Sequence, residues 1–464
     1  MHSMESKNLI PNPPREPDVR EVAGKSQLSR WLVILSFLIL AFVQVVIVLK
    51  TESWRTGDSE HYIILAKTIL NGQPYGAGRG SDFEPDILRM PGYPALIAVT
   101  GYLFGLKDVN IIIIQSILCL ASVYLTWRVT SSAFGAVAGY VFLGLAVIYL
   151  APQAMATLIM SEVPALFFVS LIYYLLLKPT TWRLVLIGFL AAIATYMRPY
   201  IILLSPTIAL ACLIQQRRLS WRPVAVLFAT ALPLLPWAVR NHSVTGKFSP
   251  LPNYSSLQFY EATVECKASV AALMQYTMQG VMPEQFKTTG IADQMARINR
   301  ELSVPTDSAL LWYYSVPGPY RGVSRKLMAD RLLLSAAISN VNEQPTSFVM
   351  SRLFYFMPRL WFTGVFPEGL PSAVKQGLYW EGVLMLALGV VGVLLFARRI
   401  DSYSSLVALS AVGAILYASF SLCWMCVQAR FTIPFRLLLV MFAANSIAVL
   451  IDQCRRQQAR GRPL

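Results

Sequence analysis

Charge is what this sequence has least of. Of its 464 residues only 14% are Asp, Glu, Lys or Arg, against about a quarter in a soluble globular domain. Together with 56% hydrophobic residues, that shortage excludes an ordinary water-soluble fold. Histidine is scarce as well: His2, His61 and His242 stand far apart. Of the six cysteines, Cys423 and Cys426 form the one C-x-x-C. A zinc site needs four ligands, so no metal is expected, and the pair reads as a disulfide or two inert thiols. Cys119 and Cys212 fall in apolar runs, where a buried thiol is the ordinary state. Internal repeats and long low-complexity stretches are missing too.

What the sequence has is long apolar runs, at roughly 31–49, 109–127, 134–151, 162–177, 184–197, 200–214, 223–239, 380–397, 404–422 and 431–451. Runs of this length mark bilayer spans. A shorter run, 94–106, covers only about 20 Å as a helix, too little for a hydrocarbon core of about 30 Å. The net charge of +15 would point to nucleic acid in a soluble chain. Here much of the basic excess sits in short loops, which the positive-inside rule explains. If 94–106 does not span, Arg128, Lys178, Arg183, Arg217, Arg218, Arg222, Arg398, Arg399 and the C-terminal arginines all fall on the side of Lys25 and Arg30. If it does span, the pattern breaks. The expected fold is therefore an all-α polytopic membrane protein of about ten transmembrane helices, with 94–106 as a juxtamembrane helix.

That topology divides the chain. Residues 1–30, polar and rich in proline, read as a disordered cytoplasmic tail. No small-residue cleavage site follows the first run, so it is expected to stay as a helix. Residues 31–239 form a transmembrane core whose first outer loop is 50–93. Residues 240–379 form a larger outer segment, in which the aromatic stretch 346–366, broken by Pro358 and interrupted by Arg352 and Arg359, suits helices lying on the membrane surface. Residues 380–451 return to the membrane, and 452–464 are a basic cytoplasmic tail.

Candidate chemistry gathers at the outer ends of these spans. The first loop reads GDSEHYIILAKTILNGQPY from Gly57 to Tyr75. Its apolar spacing predicts a short amphipathic helix starting near Asp58, with Asp58 itself a candidate N-cap. Glu60, His61 and Tyr62 follow, then Glu84, Asp86 and Arg89 ahead of a Pro-Gly-Tyr-Pro turn; a solvated loop is the plain alternative for these. Glu162 stands at the mouth of the fourth span, where a carboxylate is costly and marks function, or else complements a helix dipole. Arg198, Arg240 and Arg430 end up on the same face as the first loop, and Arg436 lies deeper, inside the last span. A guanidinium suits phosphate because it stays charged and donates two parallel hydrogen bonds. Snorkelling to lipid headgroups is the alternative for each, and the harder one to sustain for Arg436.

The order of these signals resembles the glycosyltransferase C superfamily, in its branch related to protein O-mannosyltransferases and lipid A aminoarabinose transferases. The resemblance is carried by GDSEHY after the first helix, RMPGYP, the SE at a span entrance, YMRP, PWAVRN followed by Gly246, and ARFTIP. It runs over roughly 31–250 and 380–450. The chain has MPGYP where mannosyltransferases carry HPP, which leaves mannose unassigned.

The resemblance implies transfer of a sugar from a polyprenyl-phosphate carrier to a glycan, lipid or protein acceptor on the non-cytoplasmic side, inverting the anomeric centre. It places the general base in the first outer loop, at Asp58. Glu60, His61, Tyr62, Glu84, Asp86 and Glu162 would position donor and acceptor, and Arg89, Arg198, Arg240, Arg430 and Arg436 would bind the donor phosphate. No cofactor beyond the donor itself and no nucleic acid partner is expected, and a bacterial inner membrane is the expected location. The competing readings are a transporter or flippase, and a polysaccharide polymerase or ligase. Transporters place charge near the midplane, often in two related halves; here the charge lies at one face and the halves differ.

Overall fold

A computed structural model describes residues 19–51, 53–78, 80, 83–216, 221–253, 255–266, 291–303, 322–362, 372–398, 406–425 and 428–459. The described parts of the apolar runs are almost wholly helical. They lie in α1 (Val19–Lys50), α4 (Asp108–Phe134), α5 (Ala136–Ile148), α7 (Glu162–Leu176), α8 (Thr181–Met197), α9 (Leu204–Gln216), α10 (Trp221–Thr245), α16 (Ser372–Ala397), α17 (Leu406–Leu422) and α18 (Ile433–Ala459). The short run is α3 (Gly92–Phe104). Among the described residues five helices are long and apolar enough to cross a membrane: Arg30–Lys50, Asp108–Phe134, Trp221–Thr245, Gln376–Ala397 and Arg430–Ala459. The others run to 17 residues or fewer. The chain is an all-α polytopic membrane protein. Its described strand is confined to one ribbon, β1 (Gly76–Ala77) antiparallel to β2 (Glu84–Pro85).

α18 is the central post. From Ile433 to Ala444 every residue is buried, as suits a helix apolar all round, and it packs against α4, α5, α7 and α16. The fit to α16 depends on small residues: a Cβ at Gly392 would collide with the Phe442 carbonyl oxygen. Without a hydrophobic drive between helices in lipid, such close backbone approach supplies the packing. α1 is the opposite case, at the rim, with Trp31, Leu35, Leu38, Phe42 and Leu49 exposed to face acyl chains.

Three boundaries differ from the sequence reading. α1 starts at Val19, inside the expected disordered tail, because Glu21, Lys25 and Gln27 are good helix formers that carry the helix past the apolar run. α18 runs on to Ala459, well into the expected tail, with Asp452 and Arg456 paired at 2.8 Å along its surface. As far as Phe362, the stretch expected to lie on the membrane surface instead packs inward. It comprises α14 (Pro345–Ser351), a π-helical turn Arg352–Phe356 and α15 (Met357–Phe362), and α15 packs against α16 and α17. Arg352 and Arg359 are buried. Arg352 pairs with Glu265 at 3.0 Å, donates to the carbonyls of Ala262 and Met425, and lies 4.0 Å from the Phe356 ring centroid. Buried acceptors and an aromatic face do here what headgroups would do at a surface.

Candidate active site

The outer ends of several helices converge on one carboxylate. α2 (Gly57–Leu70) follows α1 after a short link, and its N-cap is Thr56. Thr56 and Ser59 close a reciprocal capping box, which corrects the expectation that Asp58 caps this helix. A hydroxyl at the cap position satisfies the first-turn N–H groups, and the Asp58 carboxylate is left for other partners. Those partners are guanidinium groups. Asp58 Oδ1 accepts from Arg89 Nη2 at 2.6 Å, and Oδ2 meets Arg430 Nη2 at 2.9 Å.

Each arginine arrives on its own turn. Arg89 precedes α3, and its guanidinium lies over Tyr62, 5.2 Å from the ring centroid; Tyr62 in turn meets Tyr93 edge to face. Arg430 sits in a 3-10 turn, Ala429–Thr432, that leads into α18. Next to it, Glu162 opens α7 and pairs with Arg198, the C-cap of α8; Arg430 Nε stands 3.7 Å from the same Glu162 oxygen. Arg198 and Arg430 both lie near the Phe431 ring. Three guanidinium groups thus face two carboxylates, an excess of one positive charge. Glu162 and Arg198 are buried, whereas the Asp58 and Arg430 side chains keep 21% and 20% exposure. The cluster is open at Asp58 and Arg430.

Electrostatics follow from this geometry. Burial pushes the Asp58 carboxyl up, but Arg89, Arg430 and Arg198 outweigh burial and hold it below the usual carboxylate range.

A second buried pair braces the loop. His61 Nε2 and Asp86 Oδ2 stand 2.5 Å apart, and Asp86 Oδ1 accepts the backbone N–H groups of Leu88 and Arg89. Burial pushes Asp86 up; His61, the Arg89 N–H and Lys326 together bring it down to about 2. Asp86 therefore fixes the turn that presents Arg89. Glu84 is held by Lys326 of α13 (Val323–Glu343) at 2.6 Å. Burial pushes the nearby Tyr75 hydroxyl well above its ordinary value, with Asp86 and Tyr62 adding to it.

Other sequence candidates lie off the cluster. Glu60 points to solvent and pairs with Arg55, which also binds Asp108 at the start of α4. Arg240 donates to the Tyr75 carbonyl at 3.1 Å and stacks on Trp237 and Tyr75. Arg436 is sealed in the helix packing, bonded to Thr432, the Tyr149 hydroxyl and the Leu360 carbonyl. Cys423 is a buried free thiol, and Cys426 lies outside the described residues.

Sequence reasoning missed Gln115, Lys326 and Met160. Gln115 accepts from Tyr93 and donates to the carbonyls of Ala156 and Leu158, pinning the turn before Glu162; a lone amide in an apolar span was the available signal. Lys326 carried none, being one of several cations in a long outer segment. Met160 touches Thr56 Oγ1 at 3.2 Å and Arg430 Nη1 at 3.7 Å.

Comparisons with known proteins agree with this architecture. Residues 85–239, about a third of the chain, match the model of the dolichyl-phosphate-mannose-protein mannosyltransferase family. A search of curated protein sequences gives no match. Among solved structures, the archaeal oligosaccharyltransferase AglB from Archaeoglobus fulgidus, in complex with an inhibitory peptide and a dolichol-phosphate, is similar at 14% identity and a TM-score of 0.53, over 94% of this chain and 52% of AglB. Its apo form gives 14% and 0.52, over 93% and 52%. The chain spans about half the length of these oligosaccharyltransferases. ArnT from Cupriavidus metallidurans bound to undecaprenyl phosphate is 14% identical over 90% of this chain and 78% of ArnT, but its TM-score of 0.38 is too low for a shared fold to follow. A mannosyltransferase family match across the centre of the core and the fold of an oligosaccharyltransferase together bear out the resemblance to the glycosyltransferase C superfamily, in its polyprenyl-phosphate-sugar branch.

Proposed function

We propose that this chain is a membrane glycosyltransferase that moves a sugar from a polyprenyl-phosphate carrier to an acceptor hydroxyl on the non-cytoplasmic face. The observation that carries the reading is the Asp58 carboxylate held between Arg89 and Arg430 at the open side of the cluster. In the reaction the acceptor oxygen bonds to the anomeric carbon as the bond from that carbon to the phosphate oxygen breaks. The hydroxyl proton goes to Asp58. The leaving polyprenyl phosphate takes the bonding electrons as a stable anion, so guanidinium groups suffice and no proton donor is needed. Glycosidases, by contrast, need a paired acid and base. Attack opposite the leaving group inverts the anomeric centre.

The resting cluster also supports an order of binding. With a guanidinium on each oxygen, Asp58 is ionised but a feeble base. A donor phosphodiester matches the single negative charge of a carboxylate, and its charge grows towards that of a monoester as the bond to the anomeric carbon breaks, which draws Arg430 towards the phosphate. That frees Oδ2 and raises its basicity, so the donor prepares the base that the acceptor then uses. Arg198 and Glu162 stay fixed behind Arg430 and aim it.

An apolar cleft supports a lipid carrier. It holds about 220 Å³ between α9 and α10 and is lined by Ile202, Leu227, Leu234, Leu235, Phe248 and Pro250. The 3-10 turn Pro199–Leu203 leads from Arg198 to this cleft, so a prenyl chain can lie in it while its phosphate reaches the arginines. The assay is purified protein with a radiolabelled polyprenyl-phosphate sugar and an acceptor glycan mixture. Release of free carrier phosphate with label on the acceptor is expected. Label that only changes leaflets would make the chain a flippase, and chain elongation on the carrier itself a polymerase.

A further inference from the structure

The far ends of the site helices hold a second feature. Glu162 opens α7 and Arg198 closes α8. Some 15 residues along each helix, about 22 Å at 1.5 Å per residue, the same two helices meet the end of α4 around a cavity of about 440 Å³. Arg128, Lys178 and Arg183 line it with Ser131, Ser132 and Tyr174, and its lining contains no carboxylate. The Arg183 Nε is buried with no hydrogen-bond partner among the described residues. Its Nη1 makes a long 3.4 Å contact to the Lys178 carbonyl, and the guanidinium lies over Trp182, 5.5 Å from the ring centroid. The Arg128 Nη1 donates to Tyr124, and the Arg128 guanidinium lies over Trp127.

We propose that this cavity binds the phosphate headgroup of an anionic membrane lipid and so pins the α7–α8 turn from the side opposite the active site. A general positive-inside bias explains cations near a leaflet. It does not explain a cavity that gathers three of them with three hydroxyls and no carboxylate. A phosphate supplies acceptors for the guanidinium, hydroxyl and ammonium donors of the lining. The surroundings suit a lipid in particular: Trp182 and Tyr124, aromatic residues of the kind found at membrane interfaces, stand beside it, and Val185 and Phe189 continue along α8 as exposed apolar surface for an acyl chain. Three cations against one diester charge favour a headgroup carrying two charges, either a phosphate monoester or a pair of phosphates.

The test uses the full chain, purified in neutral detergent and stripped of lipid. Native mass spectrometry and thermal melting follow the addition of phosphatidic acid or cardiolipin, with phosphatidylcholine and inorganic phosphate as comparison probes. The anionic lipids should be retained and should raise the melting temperature, while phosphatidylcholine and inorganic phosphate should not. The variant combining Arg128→Gln, Lys178→Gln and Arg183→Gln should bind on the order of 100-fold more weakly, at roughly fivefold for each cation. The paired variant Arg455→Gln with Arg456→Gln removes charge from the end of α18 and should change little. Equal losses in both variants would reduce the cavity to diffuse attraction and overturn the site. Stabilisation by inorganic phosphate alone would overturn the lipid. Arg183→Lys keeps the charge and loses the planar fork; it should fold and bind anionic lipid about two- to threefold more weakly, less than the loss on removing the cation, whereas full retention would overturn the role given to the guanidinium fork. All readouts are binding, so failure here leaves the transferase reading standing.

Discussion

At the scale of the residue, the division of labour between Thr56 and Asp58 decides what a substitution means. The cap of α2 is a hydroxyl box, so Asp58→Asn leaves the helix start intact and removes only charge and basicity. Turnover should drop about 10²–10⁴-fold, the usual worth of a general base. Because the carboxylate also competes with phosphate for Arg89 and Arg430, donor affinity should hold or tighten. Steady-state kinetics with a separate donor-binding measurement check both halves; unchanged turnover would move the base elsewhere. Glu60→Gln, two residues on and paired with Arg55 in solvent, should stay near the parent activity. Arg430→Lys keeps a charge but loses the fork that spans Asp58 and Glu162. Its transfer rate should fall by roughly 10- to 150-fold, on the order of 1.5–3 kcal/mol for a lost charge-assisted contact. Equal activity in the Lys form would make Arg430 a plain counter-charge. These residues were legible as charges stranded at the ends of apolar runs. Their pairing was not, because it depends on which span ends meet. Arg436 shows the difference: its place in a span reads as a ligand, yet three protein acceptors around it account for its burial.

At the scale of the element, the loop between α2 and α3 is held by one carboxylate and one glycine. Asp86 lies at about 2 when folded, below the value of about 3.9 for a free carboxyl. Its pairing therefore stabilises the protein fully above about pH 4, and that part fades as pH falls towards 2, up to about 2–3 kcal/mol in all. Melting temperature should be level through neutral pH and fall in acid. Asp86→Asn should melt lower at neutral pH and show a shallower acid decline, and parallel curves would show that other carboxylates set the slope. Gly92 matters for space, since a Cβ there would sit 2.6 Å from the Tyr196 carbonyl carbon and oxygen. The glycine lets the turn carrying Arg89 dock on the turn carrying Arg198. Gly92→Ala should cost about 1–3 kcal/mol of stability through overpacking and lower transfer more than tenfold by displacing Arg89. Parent-like melting and turnover would mean the two turns part without consequence. The sequence marks this place as a proline-glycine turn, but only the packing shows that the glycine serves an approach between helices and not a backbone angle.

At the scale of the whole molecule, long apolar runs made the helices readable, and the charge rule arranged them. The rule was least informative where burial hides charge. The stretch that Arg352 and Arg359 interrupt read as helices on the membrane surface because a sequence cannot show Glu265 and the Phe356 ring waiting for Arg352. The two sides of the membrane remain the boldest consequence of that charge reading, and the proposed function depends on them. The Asp58 cluster and the basic cavity occupy opposite ends of α7 and α8, so one labelling experiment addresses both. Gly72 lies exposed at the end of α2, and Thr180 lies exposed in the turn between α7 and α8. A cysteine introduced by Gly72→Cys should react with an impermeant thiol reagent added to intact cells, and one introduced by Thr180→Cys should react only after the membrane is broken. Cys454, exposed near the end of α18, should follow Thr180→Cys and serves as an internal control. Labelling of Thr180→Cys from outside, with Gly72→Cys silent, would turn the molecule over. The transfer site would then face the cytoplasm, and the cations of the α4, α7 and α8 ends would face the outer leaflet. Short basic loops resist translocation strongly enough that the first pattern is the one to expect.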